Sequence, residues 1–596
     1  MRKRMYCFAA VILTALCCVS VRTQAAPEDF ETPEYNNSTG LRSLNASEAY
    51  DLGFTGKGVI VGVVDDSFAP QTGEFAGKYP LGTWEAGEGG NNDHGIHVAG
   101  IIGANRDGVG MHGAAFDAGL FPLTAIGRKG ADDRKLPVEA WTVLSGMDEI
   151  RIINNSWGTN VYPDQSLDFG GGYSNFYYGS DYLKTWLYGE EAELVGLALD
   201  MAKADKLFVF AGGNEGHLSS GGEAVLPTLV KQYGDPNGNL DTARILKLHW
   251  INVAAFNPDY VEQNQKGEWV PNSPAFVAAF TNMGLYAADY TLWAPGVAIN
   301  STVAPRQYGY KEGTSMAAPY VSGVAALTRS AFPYMGGKQI ADVLLSTATK
   351  FDATNTPRVF ILDREEYSDP DDEDKLAGSG VQLYYDKNRI ADGTLDNLSD
   401  LDPDEIDGLV NALKQRGYTG AEQTVNDLIT SGGIAFDVPD DYLALFGAGI
   451  VNAGKAVRGP GYFDANRLDN GDRYDYKNTL YALYPVDTMG YDSIWSNDIG
   501  EKRVAGNIDP GDPDYGYIGQ LADLPVGLRK NGAGMLYLTG KNTYTGLTFV
   551  EGGGISLGRT GQADRTAELA GDVYIGPQGM FTGNGHVAGN GNPDDT

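Results

Sequence analysis

Apolar positions fall into three textures along the chain. Up to about residue 350, short apolar runs rich in β-branched residues alternate with longer stretches of small residues. Val59-Ile60-Val61-Gly62-Val63-Val64 and Leu207-Phe208-Val209-Phe210 are the clearest runs. Such runs predict strands buried on both faces, as in a parallel sheet covered by helices. The Ala- and Val-rich stretch 316–330 and the segment 341–346 predict helices.

The second texture, about 351–441, is acidic and reads as an insertion. Asp363-Arg364-Glu365-Glu366 and Asp369-Pro370-Asp371-Asp372-Glu373-Asp374 predict a solvated loop. Further on, Asp402 as N-cap, Pro403 at the first helical position and Gly417 past the end predict a helix. A calcium-loop reading of Asp400-Leu401-Asp402-Pro403-Asp404 lacks the glycine and final glutamate of an EF-hand. The core resumes at Phe446-Gly447-Ala448-Gly449-Ile450-Val451. The third texture starts at Leu528, where short alternating strands are punctuated by Gly and Asn. It predicts stacked β-helix rungs, with a hairpin or sandwich as the plainer alternative.

Composition narrows the class. A chain of 596 residues with 42% hydrophobic and 20% charged residues has room for several domains. Residues 1–25 read as a secretory signal: Arg2, Lys3 and Arg4, then an apolar stretch, then small residues around Ala25. The apolar stretch is too short for a good membrane span. All 3 cysteines (Cys7, Cys17, Cys18) lie within that segment. The remainder therefore has no disulfide, no cysteine nucleophile and no thiolate metal site. The net charge of -33 becomes -37 once the four basic residues of the signal are removed. A surface this acidic argues against nucleic acid and anionic membranes as partners.

Candidate chemistry lies in four places. Gly313-Thr314-Ser315-Met316-Ala317-Ala318-Pro319 puts a serine at the start of a helix, where free N–H groups converge. Alone, Ser315 could be a plain N-cap, which is far commoner in proteins than a nucleophile. The apolar run at 59–64 ends in Asp65-Asp66-Ser67, and functional groups gather at the carboxyl ends of strands in open α/β sheets. Asn92-Asp93-His94-Gly95-Ile96-His97 places two histidines three apart, with no acidic ligand at metalloprotease spacing. His97 reads as a buried structural histidine. The run at 207–210 leads into Ala211-Gly212-Gly213-Asn214.

The order Asp65, His94, Ser315 resembles that of the subtilisin-family (subtilase) serine proteases. The resemblance implies a three-layer α/β fold, a parallel sheet with helices on both faces. It implies Ser315 as nucleophile, His94 as general base and Asp65 as its orienting carboxylate. Asn214 would donate to the oxyanion. Ile152-Ile153-Asn154-Asn155-Ser156-Trp157-Gly158 resembles the family's strand that pairs with substrate backbone. Ser156, Trp157, Gly158 and Gly213 would then bind substrate, in an open, apolar-tolerant pocket. No cofactor is implied for catalysis, whereas structural calcium stays open. Ile96 and Asp66-Ser67 depart from the family pattern, and Asp66 is expected to point away from the triad.

The segment from Leu528 resembles the passenger repeat of bacterial autotransporters, which export a passenger through an outer-membrane β-barrel. The expected layout is a signal at 1–25, a catalytic domain at 26–458, a junction at 459–527 and β-helix-like repeats at 528–596. The expected activity is a secreted or surface-displayed serine endopeptidase acting on proteins or peptides. A β-barrel translocator is an expected partner that this chain lacks. The alternative is an adhesin or structural passenger with an idle protease fold.

Overall fold

The structure is a computed structural model. It describes residues 26–589 except 87–91, 128–134, 160–179, 190, 352–355, 365–366, 370–371, 378–379, 387–397, 416, 432, 437–441, 513 and 560–565. The signal at 1–25 lies outside the described residues, as do residues 168–179 of the aromatic, Gly-rich insert 168–186, whose sequence predicts a loop; its remainder, 180–186, is instead part of the helix Ser180–Gly189.

Seven strands form one parallel sheet: β1 (Ile60–Asp65), β2 (Trp84–Glu85), β3 (Gly119–Thr124), β4 (Ile150–Asn155), β5 (Leu207–Ala211), β6 (Trp250–Phe256) and β7 (Thr291–Pro295). Their order is β2-β3-β1-β4-β5-β6-β7. Every neighbouring pair is parallel, as the continuous apolar runs predict.

Side-chain alternation divides two cores. Val61, Val63, Leu207 and Val209 join one cluster, while Val64, Phe208 and Phe210 join the other. A period of two with apolar residues on both faces requires cover on both sides. On one face lie α1 (His94–Gly103) and α2 (Thr314–Ala331). On the other lie the helices Lys135–Ser145, Ala192–Lys203, Leu226–Tyr233 and Thr242–Leu248. This is the expected three-layer architecture. Helix α2 is buried almost all round, which explains why its sequence is apolar without a polar stripe.

A hairpin of β8 (Ile299–Ala304) and β9 (Gln307–Lys311) leads into α2, and α3 (Gly337–Thr347) follows it. Ile450 then bridges to both Trp293 and Thr349, returning the chain to the edge of the sheet at β7.

The acidic segment departs from expectation. The strands Val359–Arg364, Tyr367–Asp369 and Asp372–Ala377 replace the solvated loop expected over 363–374. Val359–Arg364 pairs with Gly380–Asp386 and sits over its own small core, including Val359, Ile361 and Leu383. Apolar residues flanking the acids supply the burial that the acids conceal. The helix Pro403–Gln415 forms where expected. At its start Asp402 accepts from the Glu405 N–H (2.8 Å) and Glu405 from the Asp402 N–H (3.3 Å), a capping box.

The C-terminal region is a stack of parallel strands. β10 (Thr479–Asp487), β12 (Val526–Asn531), β14 (Thr548–Leu557) and β15 (Val573–Gly583) pair in succession, while β11 (Ser493–Trp495) and β13 (Met535–Leu538) extend the stack beside β14. The stacking includes β10, upstream of residue 528, where the sequence texture changes. The stack docks on α3 through buried Arg467, which pairs with Asp342. Among the described residues no helix is long and apolar enough to cross a membrane.

Candidate active site

The parallel sheet brings three chain-distant segments to one edge. Strands β1, β4 and β5 are adjacent and end at Asp65, Asn155 and Ala211. Asp65, the 156–158 segment and the Gly213-Asn214 turn therefore share the carboxyl edge. β1 is flanked by β3 on one side and β4 on the other, so the strand order reverses there. Such a reversal opens a crevice in α/β sheets.

Asp65 is buried and accepts a hydrogen bond from His94 Nδ1 at 2.7 Å. The same oxygen, Oδ1, accepts the Asp66 N–H at 2.8 Å. His94 begins α1, and the glycine after it is required by contact. A Cβ on Gly95 would come 2.4 Å from the Ser67 carbonyl oxygen and 2.9 Å from the Asp65 Cβ. Glycine lets the first turn of α1 sit directly on the end of β1.

Burial disfavours charge on His94, but the attraction and hydrogen bond of Asp65, with Asp66 adding to them, outweigh it and raise its pKa to about 8. His97 is the structural residue expected. It is fully buried, its Nε2 lies 3.0 Å from both the Ile299 and Gly309 carbonyls, and burial lowers its pKa to about 4. These bonds tie α1 to the β8–β9 hairpin. Lys311 reinforces the link by pairing with Asp93 at 2.7 Å.

Asp66 does not point away. Its carboxylate accepts the Gly95 N–H at 2.8 Å, and its ligand atoms, with those of Asp65 and His94, lie within 4.8 Å of one another. The free N–H groups at the start of α1 attract it. Burial and the Asp65 charge together raise its pKa.

Ser315 occupies the first turn of α2. Gly313 precedes it at φ +140°, a conformation that side chains rarely adopt. The Ser315 hydroxyl donates to the Ser156 carbonyl at 3.1 Å, and the Ser156 hydroxyl donates back to the Ser315 carbonyl at 3.0 Å. Behind them Asn154 donates to Ser156 Oγ (3.0 Å) and accepts from Ser322 (2.9 Å). Asn214 Oδ1 accepts from both the Thr314 N–H (2.8 Å) and the Thr314 hydroxyl (3.0 Å). With its oxygen so engaged, Asn214 offers its amide N–H groups beside the serine turn. The Gly213 N–H donates to Thr314 Oγ1 at 3.1 Å, closing the link between β5 and α2.

Trp157 packs edge-on to Phe210, with ring centres 5.5 Å apart, and is part of the second core as well as the 156–158 segment. Gly158 and the buried Glu223 lie side by side: Glu223 Oε2 is 3.4 Å from where a Gly158 Cβ would be. Sequence reasoning missed Glu223, because Gly222-Glu223-Ala224-Val225 carries no local sign of burial. It also missed the Lys311–Asp93 pair.

A parallel three-layer α/β domain with an Asp–His pair and a helix-start serine at one sheet edge defines a hydrolase-type scaffold. The subtilase family model matches residues 56–380, more than half of the sequence, and the chain belongs to that family. A passenger-associated-transport-repeat matches residues 528–557, which span β13, β14 and most of β12. The chain is 27% identical over 604 residues to an extracellular serine protease of Serratia marcescens, covering 94% of this chain and 46% of that protein. A second extracellular serine protease of the same organism is 28% identical over 57% of this chain and 36% of its own length. Subtilisin NAT of Bacillus subtilis subsp. natto is 30% identical over 54% of this chain and 69% of its own. The chain thus spans less than half the length of the Serratia relatives.

Proposed function

We propose that this chain is the serine endopeptidase portion of an exported autotransporter-type protein, cleaving protein or peptide substrates outside the cytoplasm. The observation that carries the reading is the 2.7 Å bond holding His94 Nδ1 to buried Asp65, at the sheet edge where Ser315 also lies. In this mechanism Ser315 Oγ attacks the scissile carbonyl carbon while His94 Nε2 takes its proton. Asp65 keeps Nδ1 protonated and stabilises the imidazolium. The oxyanion is met by the Asn214 amide and the Ser315 N–H. His94 then protonates the leaving amine, and the acyl-enzyme is hydrolysed by water that gives its proton to His94. Substrate backbone lies along Ser156, Trp157 and Gly158, with Gly213 opposite, by strand addition.

No cofactor enters this chemistry. Export is supported by the transport repeat and by the extracellular relatives. A β-barrel translocator would be the partner for that step.

Labelling with a fluorophosphonate probe tests the reading, with Ser315→Ala as control. Labelling of the wild type alone supports it. Folded protein that does not label, and cleaves no peptide, overturns it. A second reading, an adhesin with an idle protease fold, draws on the Ser315 hydroxyl being bonded to Ser156. Absence of labelling would favour that one.

A further inference from the structure

Glu223 is a buried carboxylate with few donors. It is 2% exposed, in the short helix Gly222–Val225. Gly222 adopts φ +53° and passes so close to Thr159 that a Cβ on it would lie 2.3 Å from the Thr159 carbonyl oxygen. This approach carries the Glu223 side chain beneath the Gly158-Thr159 backbone. Its Oε2 accepts the Thr159 N–H at 2.8 Å and the Thr159 hydroxyl at 3.3 Å. Its own backbone N–H also donates to the carboxylate; all of these donors are neutral, and among the described residues no cation pairs with it. Its backbone carbonyl accepts from the buried Trp250 ring (3.1 Å). Burial raises the carboxyl's pKa. A carboxylate removed from water without a counter-charge is costly and is best compensated by an incoming cation.

Residue 158 is glycine, so no side chain stands between the segment and the carboxylate. Gly213, across the crevice, likewise has no side chain. A substrate strand laid along 156–158 would send the side chain before its scissile bond between these two walls.

We propose that Glu223 forms the floor of that pocket and selects substrates with lysine or arginine at the residue preceding the cleaved bond. The cationic head pairs with the carboxylate, and its alkyl stem lies against Trp157 and the two glycines. This assignment rests on the endopeptidase reading above. It replaces the apolar-tolerant pocket suggested by the glycines with one that is charged at its base.

The test uses the full chain and two peptidyl diphenyl phosphonates that differ only in lysine or phenylalanine at that position. Inactivation rate constants are measured beside fluorophosphonate labelling. The wild type should favour the lysine compound by at least about 100-fold, as expected where a built polar site meets its partner. In Glu223→Gln the ratio should collapse toward unity. No lysine preference in the wild type, or an unchanged ratio in folded Glu223→Gln, overturns the assignment while leaving the peptidase reading intact. The wild-type ratio decides alone if the variant does not fold. A folded wild type inert to all three probes removes the peptidase reading, and this assignment with it.

Discussion

Ser156 and Ser315 exchange two hydrogen bonds, each hydroxyl donating to the other's carbonyl, at 3.0 and 3.1 Å. The exchange depends on Pro319. Proline has no N–H, so the Ser315 carbonyl lacks the partner that a residue four positions on would supply. Ser156 fills that vacancy and so fastens the start of α2 to the end of β4. The serine turn is held from the other side by Asn214, through Thr314.

This coupling makes Ser156 more than a wall of the crevice. Ser156→Ala should strand the Ser315 carbonyl and cost about 1–3 kcal/mol of stability. Urea unfolding of the variant beside wild type measures it. Turnover should also fall, because the position of the serine turn is no longer fixed.

Removing the proposed nucleophile has a sharper signature. Ser315→Ala should reduce peptide hydrolysis by about 10⁶-fold, the scale of loss found for subtilisin-type triads. Fluorophosphonate labelling should vanish while the circular dichroism spectrum stays unchanged.

Asn214→Ala tests the proposed oxyanion donor. Its expected effect is a fall of about 10²–10³ in kcat with KM little altered. A variant with full kcat would remove Asn214 from the mechanism.

The electrostatics give a pH profile with a definite sign. As the proposed base, His94 must be neutral to accept a proton; burial, the largest single influence, lowers its pKa, but the attraction and hydrogen bond of Asp65, with Asp66, outweigh it and place it at about 8. Activity measured as kcat/KM should therefore rise with pH and reach half its plateau near pH 8. Asp66 adds to the stabilisation of charged His94, so Asp66→Asn should move that limb to lower pH. A profile unmoved by this substitution would mean that the Asp66 charge is screened from the imidazole.

The docking of the C-terminal stack on α3 relies on a buried ion pair. Arg467 and Asp342 are both nearly inaccessible, and Tyr484 and Lys338 also bond to Asp342, at 3.0 and 2.8 Å. Arg467→Met leaves the aspartate without its buried partner and should cost about 3–5 kcal/mol. Thermal or urea unfolding would reveal it, as a lower midpoint or a separate early transition of the stack.

The sequence by itself carries the strands, the central helix and the identity of the candidate catalytic groups. Each is encoded locally: an apolar run that must be covered on both faces, a glycine that admits close contact, a serine at a helix start. The order Asp65, His94, Ser315 was legible for the same reason. What only the tertiary structure decided depends on partners distant in the chain. Asp66 turns toward the site because the N–H of Gly95, 29 residues on, is available to it. The described acids Asp363, Asp369, Asp372, Glu373 and Asp374 sit in strands because flanking apolar residues find a core of their own. The stack starts at β10 because its strand finds a parallel partner in β12, across a segment with no repeat texture. Glu223 becomes a buried charge only when Gly222 presses against Thr159. Burial and pairing over such separations are properties of the assembled sheet, and no local pattern of residues encodes them.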